Sequence, residues 1–381
     1  MNKAIATTAL VALIAAVALT QIALRERDVA PGLITDRLAR IDAAITAEVD
    51  DGKIPGAVAL IVKNGEVVYH KSFGFADIES LAPMRTDSIF RIASMSKAIT
   101  SVATMLLYEQ GRFRLNDPVA KYIPEFANMV VISAVDGEGN VTETVPATRP
   151  IRIIDLLTHS SGIGYPFISS KMQKTYQDAG IIDGLTVKEI NLASQVKLLA
   201  TKPLLFEPGS AFAYGLSTDV LGYLIEVVSN KSLDQFLADE LFKPLGMNDT
   251  YFYLPEDKKD RLVTLYNDVE GVGLVEHAGS ETDIEVNDAL YPVIGAKTYF
   301  SGGAGLSSTA RDYALFLRML LNDGELNGTR ILGRKSVELM RTGRVDWDGD
   351  AVADFGLGFA VISDIGRRGE LASAGAYAWG G

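Results

Sequence analysis

The sequence predicts an α+β fold in which an antiparallel sheet is flanked by helices and interrupted by a largely helical insertion. Three observations support this prediction. Two β-rich runs meet at a tight-turn dipeptide near residue 64, helical pieces separated by Pro- and Gly-containing loops fill residues 116–293, and strand-like runs return after residue 355. Because sheet segments occur at both ends of the chain, we expect them to meet in one layer that the insertion covers on one side.

The first predicted elements are a helix and a β-hairpin. Apolar residues recur at helical spacing over residues 34–49 and indicate an amphipathic helix, which an Asp-Asp-Gly sequence ends. The β-rich runs 57–63 and 66–74 follow, and Asn64-Gly65 between them is the two-residue turn most typical of a hairpin. The antiparallel sheet is therefore expected to begin here.

The later elements are a buried helix and a second group of strands. From Ser94 to Gly111 the sequence predicts a strongly apolar helix that packs against the sheet. The insertion contains one small hairpin near residues 136–140, and strand-like runs return at residues 356–362 and 371–379.

We therefore expect one domain over residues 31–381. It consists of a sheet region, formed by residues 31–115 and 296–381, and a mainly helical region over residues 116–295. We find no internal repeat and no low-complexity linker that would divide it further.

The composition excludes several classes of protein. The chain has 381 residues, 48% of them hydrophobic, which is enough to bury a full-sized core. Its formal net charge of -12 repels phosphate backbones, so nucleic acid is not an expected partner. The absence of cysteine excludes disulfides, thiol nucleophiles and cysteine-ligated metal sites. Any chemistry must therefore use oxygen or nitrogen side chains.

The first thirty residues have the pattern of a targeting segment. Lys3 provides a charged start, residues 4–20 form an apolar stretch, and Ala16 and Ala18 offer a small-residue cleavage site. We interpret residues 1–30 as a signal peptide, and the alternative is an uncleaved N-terminal anchor helix. In both cases the protein is expected to be exported, either periplasmic or secreted, with membrane association only through this segment.

Ser94-Met95-Ser96-Lys97 is an S-x-x-K motif, a signature in which a serine nucleophile has a lysine partner. Ser94 follows a strand-like run and opens the apolar helix, so its hydroxyl and the Lys97 ammonium are expected on one face of the first turn. Burial favours the neutral amine, and the helix N-terminus favours developing negative charge. The motif therefore predicts an activated serine nucleophile.

Tyr214 is the candidate proton carrier. The turn at Pro208-Gly209 delivers it just before a predicted helix over residues 217–228. A tyrosine can transfer protons when it lies beside a lysine. The alternative is an ordinary core tyrosine.

Other polar features are expected to be structural. A second S-x-x-K match, from Ser194 to Lys197, lies within an amphipathic segment that has a surface-like charge pattern. His159 is expected to order a turn, and without a G-x-S-x-G sequence a Ser-His-Asp hydrolase is not expected. The acidic run at residues 346–350 lacks the spacing of a calcium loop. We predict no metal and no cofactor.

Several short motifs resemble the serine β-lactamase-like superfamily. In chain order they are Phe90-Arg91-Ile92-Ala93 before the S-x-x-K motif, Leu156-Leu157-Thr158-His159-Ser160-Ser161-Gly162, Pro208-Gly209 with Tyr214, Pro244-Leu245-Gly246-Met247 and Gly302-Gly303-Ala304-Gly305-Leu306. Within that superfamily the chain is most similar to class C β-lactamases and family VIII carboxylesterases. The resemblance extends from about residue 35 to the end of the chain.

The resemblance implies roles for three residues. Ser94 would be the acylated nucleophile, Lys97 its base partner, and Tyr214 the general acid/base at the first position of the family's Y-x-N motif. It also implies a β-lactamase/transpeptidase-like fold, in which helices flank an antiparallel sheet and a helical region adjoins it.

Leu216, Trp379, Gly380 and Gly381 are predicted to bind substrate, and they lie in two motifs that depart from the lactamase pattern. Leu216 stands where the Y-x-N motif has asparagine, and an apolar side chain cannot hydrogen-bond the side-chain amide of a β-lactam. Trp379-Gly380-Gly381 stands where the family has K-T-G, and it resembles the W-G-G of family VIII esterases. The tryptophan removes the cation that pairs with the carboxylate of penicillins and D-alanyl peptides. Both changes favour neutral esters.

The chain ends on that motif at Gly381. In the superfamily that it resembles, the next residue supplies the second oxyanion amide, and further strands and a terminal helix complete the sheet. We therefore expect that the sequence is truncated at its C-terminus.

We expect a serine hydrolase that forms a Ser94 acyl-enzyme, most consistent with a carboxylesterase that acts on short-chain or small acyl esters. The alternatives are a β-lactamase, a D-alanyl-D-alanine carboxypeptidase or acyltransferase that uses the same intermediate, and a non-catalytic penicillin-binding-like envelope protein. The expected partner is a small-molecule ester or amide, whose acyl and alcohol groups depend on pocket shape.

Overall fold

The computed structural model describes residues 35–168, 170–182, 184–281, 286–287, 289–347, 349, 353–363 and 371–381. The targeting segment predicted at residues 1–30 lies outside these ranges. The α-helices are α1 (Thr35–Asp50), α2 (Ser96–Glu109), α3 (Ile153–Leu157), α4 (Ser170–Gln177), α5 (Leu192–Leu199), α6 (Ser217–Ser229), α7 (Leu233–Leu237), α8 (Lys243–Leu245), α9 (Ala310–Leu321) and α10 (Arg334–Met340). Short 3-10 turns lie at Ala93–Met95, Val119–Lys121, Pro124–Asn128 and Glu256–Arg261, and a π-helical turn lies at Ala238–Phe242.

The strands form small antiparallel sheets. They are β1 (Gly56–Lys63), β2 (Glu66–Asp77), β3 (Ala82–Pro83), β4 (Phe90–Arg91), β5 (Val130–Val135), β6 (Val141–Pro146), β7 (Tyr266–Val269), β8 (Gly273–Glu276), β9 (Ser280–Glu281), β10 (Val286–Asn287), β11 (Ser307–Ser308), β12 (Glu325–Leu326), β13 (Thr329–Arg330), β14 (Val345–Asp346), β15 (Ala353–Phe355), β16 (Ala360–Ile362) and β17 (Tyr377–Ala378). The larger sheets have the orders β1-β2-β3 and β14-β15-β16-β17, and the other strands form pairs. With the helices, these sheets make the α+β fold that the sequence predicts.

The structure confirms the predicted N-terminal hairpin. β1 and β2 pair antiparallel along the whole of β1. The connecting residues Asn64 and Gly65 both have positive φ, at 52° and 80°. This is the primed turn geometry that Asn-Gly favours, because its twist matches that of the strands. α1 packs against β2 and α9 against β1, so helices cover this sheet as expected.

The sheet segments from the two ends of the chain do not join, contrary to expectation. The strand-like run 371–379 forms only β17, and the run 356–362 forms only β16. Among the described residues, no ladder connects β14–β17 with β1–β3. The physical reason is the shortness of β17, which offers two residues and pairs only with β16 in the described ladders. Leu357 and Phe359, just before β16, pack into the same hydrophobic core as the helices.

The core lies around α2 and α6, which pack against each other. Ile99 and Val102 of α2 and Val220 and Leu221 of α6 are all 0% exposed. The apolar character of residues 98–107 predicts this buried helix, and Gly111, with φ at 70°, follows the end of α2 as predicted. The buried helix gives Ser94 and Lys97 a rigid support.

Residues 116–295 contain hairpins as well as helices. β5 and β6 form a hairpin whose turn is the one predicted near residues 136–140, and β7 and β8 form a second hairpin. The division into a sheet region and a helical region stays a prediction. Within the described ranges, no helix combines the length and the apolar content needed to cross a bilayer.

A buried carboxylate secures the segment that leads into the site. The Asp155 side chain, in α3, is 2% exposed. It accepts hydrogen bonds from Arg149 Nη1 at 2.7 Å, from Arg152 Nη2 at 2.9 Å and from the Arg152 backbone N–H at 2.8 Å. The Asp155 backbone carbonyl accepts from the Ser160 N–H at 2.8 Å. Asp155 therefore caps α3 and holds the turn that follows it.

Asp155→Asn should lower the free energy of unfolding by about 2 kcal/mol, because a buried charged partner of two guanidinium groups is lost. Denaturant unfolding measures this change. Asp178→Asn is the matched control, since the Lys174–Asp178 pair is 57% and 67% exposed, and it should cost less than about 0.5 kcal/mol. Equally small losses in both variants would contradict the stabilising role of Asp155.

Candidate active site

Ser94 lies in a short turn between a strand and the buried helix. β4 pairs with β11, and the Ile92 N–H donates to the Leu306 carbonyl at 3.0 Å, which anchors the chain just before the serine. Ser94 is the middle residue of the 3-10 turn Ala93–Met95, and α2 starts at Ser96. The helix predicted to begin at Ser94 therefore begins two residues later, at Ser96, after this turn.

The backbone beside Ser94 is in an unusual conformation. Ala93 has φ at 39°, in the left-handed region that residues with a Cβ rarely adopt. The Ser94 N–H lies at the start of the helical turns, where N–H groups lack partners within the helix and can bind an oxyanion. Gly381 comes close to the same group, since a Cβ on Gly381 would stand 2.7 Å from Ser94 N.

Lys97 is 1% exposed and lies beside Ser94. Its Nζ is 3.1 Å from Ser94 Oγ, 3.0 Å from Tyr165 OH and 2.8 Å from the Gly303 carbonyl oxygen. Burial lowers the pKa of Lys97 to about 7, although the charge of Asp219 acts to raise it. A large fraction of Lys97 is therefore neutral near pH 7 and can accept the Ser94 proton.

Tyr214 also contacts Ser94. Its OH lies 2.5 Å from Ser94 Oγ, and its ring centroid lies 4.6 Å from Lys97 Nζ. Burial raises the pKa of Tyr214, so the hydroxyl keeps its proton at neutral pH and can donate it. The fold thus brings together the three residues that the sequence predicts as the catalytic group.

Two further groups in the site were not selected from the sequence. Tyr165 is 2% exposed and its OH contacts Lys97, whereas Gly303 contributes only its backbone carbonyl. Gly303 lies within one of the motifs that carry the resemblance. Tyr165 follows another such motif closely, but no local pattern distinguishes it from an ordinary core tyrosine.

His159 lies in the turn after α3, as predicted. Its φ is 52°, it is 2% exposed, and its ring centroid is 5.1 Å from that of Tyr214. Burial lowers the pKa of His159 to about 3, so the imidazole is neutral at physiological pH. His159 therefore supports Tyr214 by packing.

Two of the predicted substrate-binding residues reach the site. The Trp379 ring centroid is 5.4 Å from that of Tyr214, and the Gly381 backbone lies close to the Ser94 N–H. Gly380 is exposed beside them. Leu216 is not brought to the site, because it is 2% exposed and its side chain packs in the hydrophobic core at the start of α6. The structure therefore does not support the prediction that Leu216 binds substrate.

The second S-x-x-K match is structural, as predicted. The Ser194 N–H donates to Asn191 Oδ1 at 2.9 Å, and its hydroxyl donates to the Asn191 carbonyl at 2.8 Å, which caps α5. Lys197 is exposed and forms an ion pair with Glu125 at 3.1 Å. Ser194 and Lys197 therefore each contact a different structural partner, Asn191 and Glu125.

The geometry around Ser94 is suited to acyl transfer. A neutral Lys97 can take the Ser94 proton as Oγ attacks a carbonyl carbon, and the Ser94 N–H can stabilise the resulting oxyanion. Tyr214 can donate a proton to the leaving oxygen. In the part of the chain that the structure describes, no group of His, Asp and Glu residues is arranged to hold a metal ion.

The sequence matches the Beta-lactamase family over residues 41–381. The chain belongs to this family. Among Beta-lactamase family relatives, Esterase EstB of Burkholderia gladioli is 31% identical over 356 residues, which cover 90% of this chain and 84% of EstB. Lovastatin esterase of Penicillium rubens is 32% identical over 294 residues, which cover 75% of this chain and 69% of that enzyme.

Solved structures agree with this assignment. EstCE1, a hydrolase with promiscuous acyltransferase activity, superposes on this chain with a TM-score of 0.79 and is 30% identical in sequence. The match covers 90% of this chain and 87% of the EstCE1 chain. Unliganded simvastatin synthase of Aspergillus terreus shares the fold, with a TM-score of 0.72 at 22% identity. This match covers 90% of this chain and 87% of the synthase chain. The chain is therefore a serine hydrolase of the Beta-lactamase family with a β-lactamase/transpeptidase-like fold.

Lys97→Ala and Tyr214→Phe should each lower kcat/KM by at least about 100-fold, because each removes a group that handles the Ser94 proton. The kcat/KM of the double variant should be only slightly lower than that of the less active single variant, because the effects of residues that act as a unit are not additive. Steady-state kinetics on an activated ester measure these losses.

Tyr108→Phe serves as the control for that series, because it removes a tyrosine hydroxyl from the same helix, α2, away from Ser94. It should leave kcat/KM close to that of the wild type. Losses that multiply in the double variant would show that Lys97 and Tyr214 act independently.

Proposed function

We propose that the chain is a carboxylesterase that hydrolyses short-chain or small acyl esters through a covalent Ser94 acyl-enzyme. The observation that carries this proposal is the position of Ser94 Oγ, 3.1 Å from Lys97 Nζ and 2.5 Å from Tyr214 OH. One oxygen thus has a base and a proton donor within hydrogen-bond distance. EstB and lovastatin esterase, both named as esterases, support the reaction class.

In the first half-reaction, Ser94 Oγ bonds to the acyl carbon while Lys97 Nζ takes the hydroxyl proton. The tetrahedral oxyanion is held at the Ser94 N–H. The bond to the alcohol oxygen then breaks, and Tyr214 supplies the proton that this oxygen needs, regaining one from Lys97. In the second half-reaction water attacks the acyl carbon, and the same groups return the proton to Ser94.

The surface beside Tyr214 supports an uncharged substrate. Trp379 belongs to an aromatic cluster of Phe212, Trp347, Phe355 and Trp379. Its ring centroid lies 5.1 Å from Phe355 and 6.0 Å from Trp347. Phe212, Trp347 and Trp379 are only partly buried, so they offer apolar surface next to the nucleophile. An indole at position 379 cannot form an ion pair with a substrate carboxylate.

Acyl transfer to an alcohol other than water is a second candidate reaction. It needs the same acyl-enzyme and only a different nucleophile in the second half-reaction. EstCE1, at 30% identity, is described as a hydrolase with promiscuous acyltransferase activity. Hydrolysis of a β-lactam or a D-alanyl peptide would also use Ser94. The aromatic cluster offers no cation for the carboxylate of these substrates, so it favours ester hydrolysis instead.

Export of the protein is a further part of the proposal. It is supported by the charged start and the apolar stretch of residues 1–30, which have the pattern of a signal peptide or an anchor. In either case the hydrolase would meet small-molecule esters outside the cytoplasm.

A fluorophosphonate probe should label Ser94, because its hydroxyl is partly exposed and lies beside a lysine that can be neutral near pH 7. Peptide mapping by mass spectrometry identifies the labelled residue. Ser94→Ala should abolish labelling, and Ser194→Ala, which changes the second S-x-x-K match, should leave it intact. Labelling at Ser194, or at neither serine, would contradict the acyl-enzyme proposal.

p-Nitrophenyl acetate or butyrate should be hydrolysed with a kcat/KM at least ~30-fold above that for nitrocefin or benzylpenicillin. Trp379 cannot pair with the carboxylate of these β-lactams, and the missing charge pair should cost their transition state about 2 kcal/mol. Rates are compared at equal enzyme concentration with Ser94→Ala as background. A value for penicillins or D-alanyl peptides that equals or exceeds the value for the esters would overturn the esterase proposal.

A further inference from the structure

Asp219 is a buried acidic residue that the proposed steps do not use. It lies in the first turn of α6 and is 2% exposed. A buried carboxylate is costly unless it is paired or hydrogen-bonded, so its position demands a physical explanation.

Asp219 holds a glycine-rich loop in place. Its Oδ1 accepts a hydrogen bond from Ser301 Oγ at 2.7 Å, and Ser301 Oγ accepts one from the Ala304 N–H at 3.0 Å. On the other side of the loop, Thr100 Oγ1 of α2 donates to the Gly302 carbonyl at 2.8 Å. The loop from Ser301 to Ala304 is therefore attached to both central helices.

The carboxylate and the catalytic amine contact the same loop residue. A Cβ on Gly303 would stand only 2.5 Å from Asp219 Oδ2, and the Gly303 carbonyl oxygen accepts from Lys97 Nζ at 2.8 Å. Only glycine allows this close approach. A displacement of Asp219 would consequently move the carbonyl that binds Lys97.

The Gly303 carbonyl matters because it can only accept hydrogen bonds. A neutral Lys97 has two N–H bonds and one lone pair, and one N–H must point to the Gly303 carbonyl. The lone pair can then point only towards Ser94 Oγ or Tyr165 OH. The position of the loop therefore decides whether the lone pair can reach the Ser94 proton.

We propose that Asp219 is a positioning residue that, through the loop from Ser301 to Ala304 and through its negative charge, sets both the orientation and the proton affinity of Lys97. This inference rests on the proposed function, because it assigns a support to the base of that reaction.

The charges around Lys97 determine the direction of the effect. Burial raises the pKa of Asp219, and the nearby Lys97 lowers it. The Gly303 N–H lies beside the carboxylate and favours its charged form, but Oδ2 has no hydrogen-bond partner of normal geometry among the described residues. Its charge is thus stabilised mainly by Ser301 and Lys97.

Two other titratable groups that face Lys97, His159 and Tyr214, do not change their charge near neutral pH. His159 is neutral because its pKa is about 3, and Tyr214 keeps its proton because burial raises its pKa. Tyr165 contacts Nζ through its hydroxyl. A negative Asp219 favours the Lys97 ammonium, so removing this charge lowers the pKa of Lys97 further, and the neutral base then forms at lower pH.

The test compares Asp219→Asn with Thr100→Val over a pH series. Asp219→Asn keeps the side-chain shape and removes the charge. Thr100→Val loosens the same loop without changing any charge, because it removes only the bond to the Gly302 carbonyl. For each variant we would measure kcat/KM for p-nitrophenyl acetate and, separately, the rate of Ser94 phosphonylation by a fluorophosphonate probe.

In the wild type, both rates should rise with pH through the pKa of Lys97, near pH 7. Asp219→Asn should move this rise to lower pH by about 1 unit and reduce the plateau several-fold, since a weaker base remains. Thr100→Val should reduce the plateau without moving the midpoint. An unmoved midpoint in Asp219→Asn, or an equal movement in Thr100→Val, would overturn the inference.

Ser301→Ala keeps the inference testable if Asp219→Asn does not fold, which circular dichroism would reveal. It removes the donor to Oδ1 and should shift the midpoint in the same direction by a smaller amount; no shift would count against the inference. The phosphonylation series does not need ester turnover. Absent ester hydrolysis with intact phosphonylation would therefore refute the esterase proposal alone.

Discussion

The contact between the buried Lys97 amine and Ser94 is the interaction on which the rest of the site depends. Removing an ammonium group from water is costly, and this cost lowers the pKa of Lys97 to about 7. The amine stays buried because Ser94, Tyr165 and the Gly303 carbonyl satisfy it. α2, the loop after α3 and the loop from Ser301 to Ala304 must hold these groups together.

The core meets this requirement through the packing of α2 against α6. α2 carries Lys97, and α6 follows directly on Tyr214, so close packing of the two helices also sets the distance from the base to the proton donor. The unusual backbone at Ala93 persists because it is enclosed between the β4–β11 pairing and the first turn of a buried helix. Rigid surroundings of this kind reduce the reorganisation that acyl transfer needs.

The site chemistry is common to several reaction classes, and the groups around it distinguish them. Ser94, Lys97 and Tyr214 can form an acyl-enzyme with an ester or an amide. The aromatic cluster beside Tyr214 favours apolar, uncharged groups, whereas a lysine at position 379 would favour a carboxylate. The proposal of ester hydrolysis therefore rests on the side chains that line the site, since the fold serves several activities.

The sequence by itself determined what local spacing can encode. Three residues of separation place Ser94 and Lys97 side by side, and Asn64-Gly65 specifies the hairpin. Tertiary structure alone decided that Tyr165 and the Gly303 carbonyl complete the environment of Lys97, that Leu216 turns into the core, and that the terminal sheets stay separate. These outcomes depend on packing between segments far apart in the chain, for which no local pattern carries information.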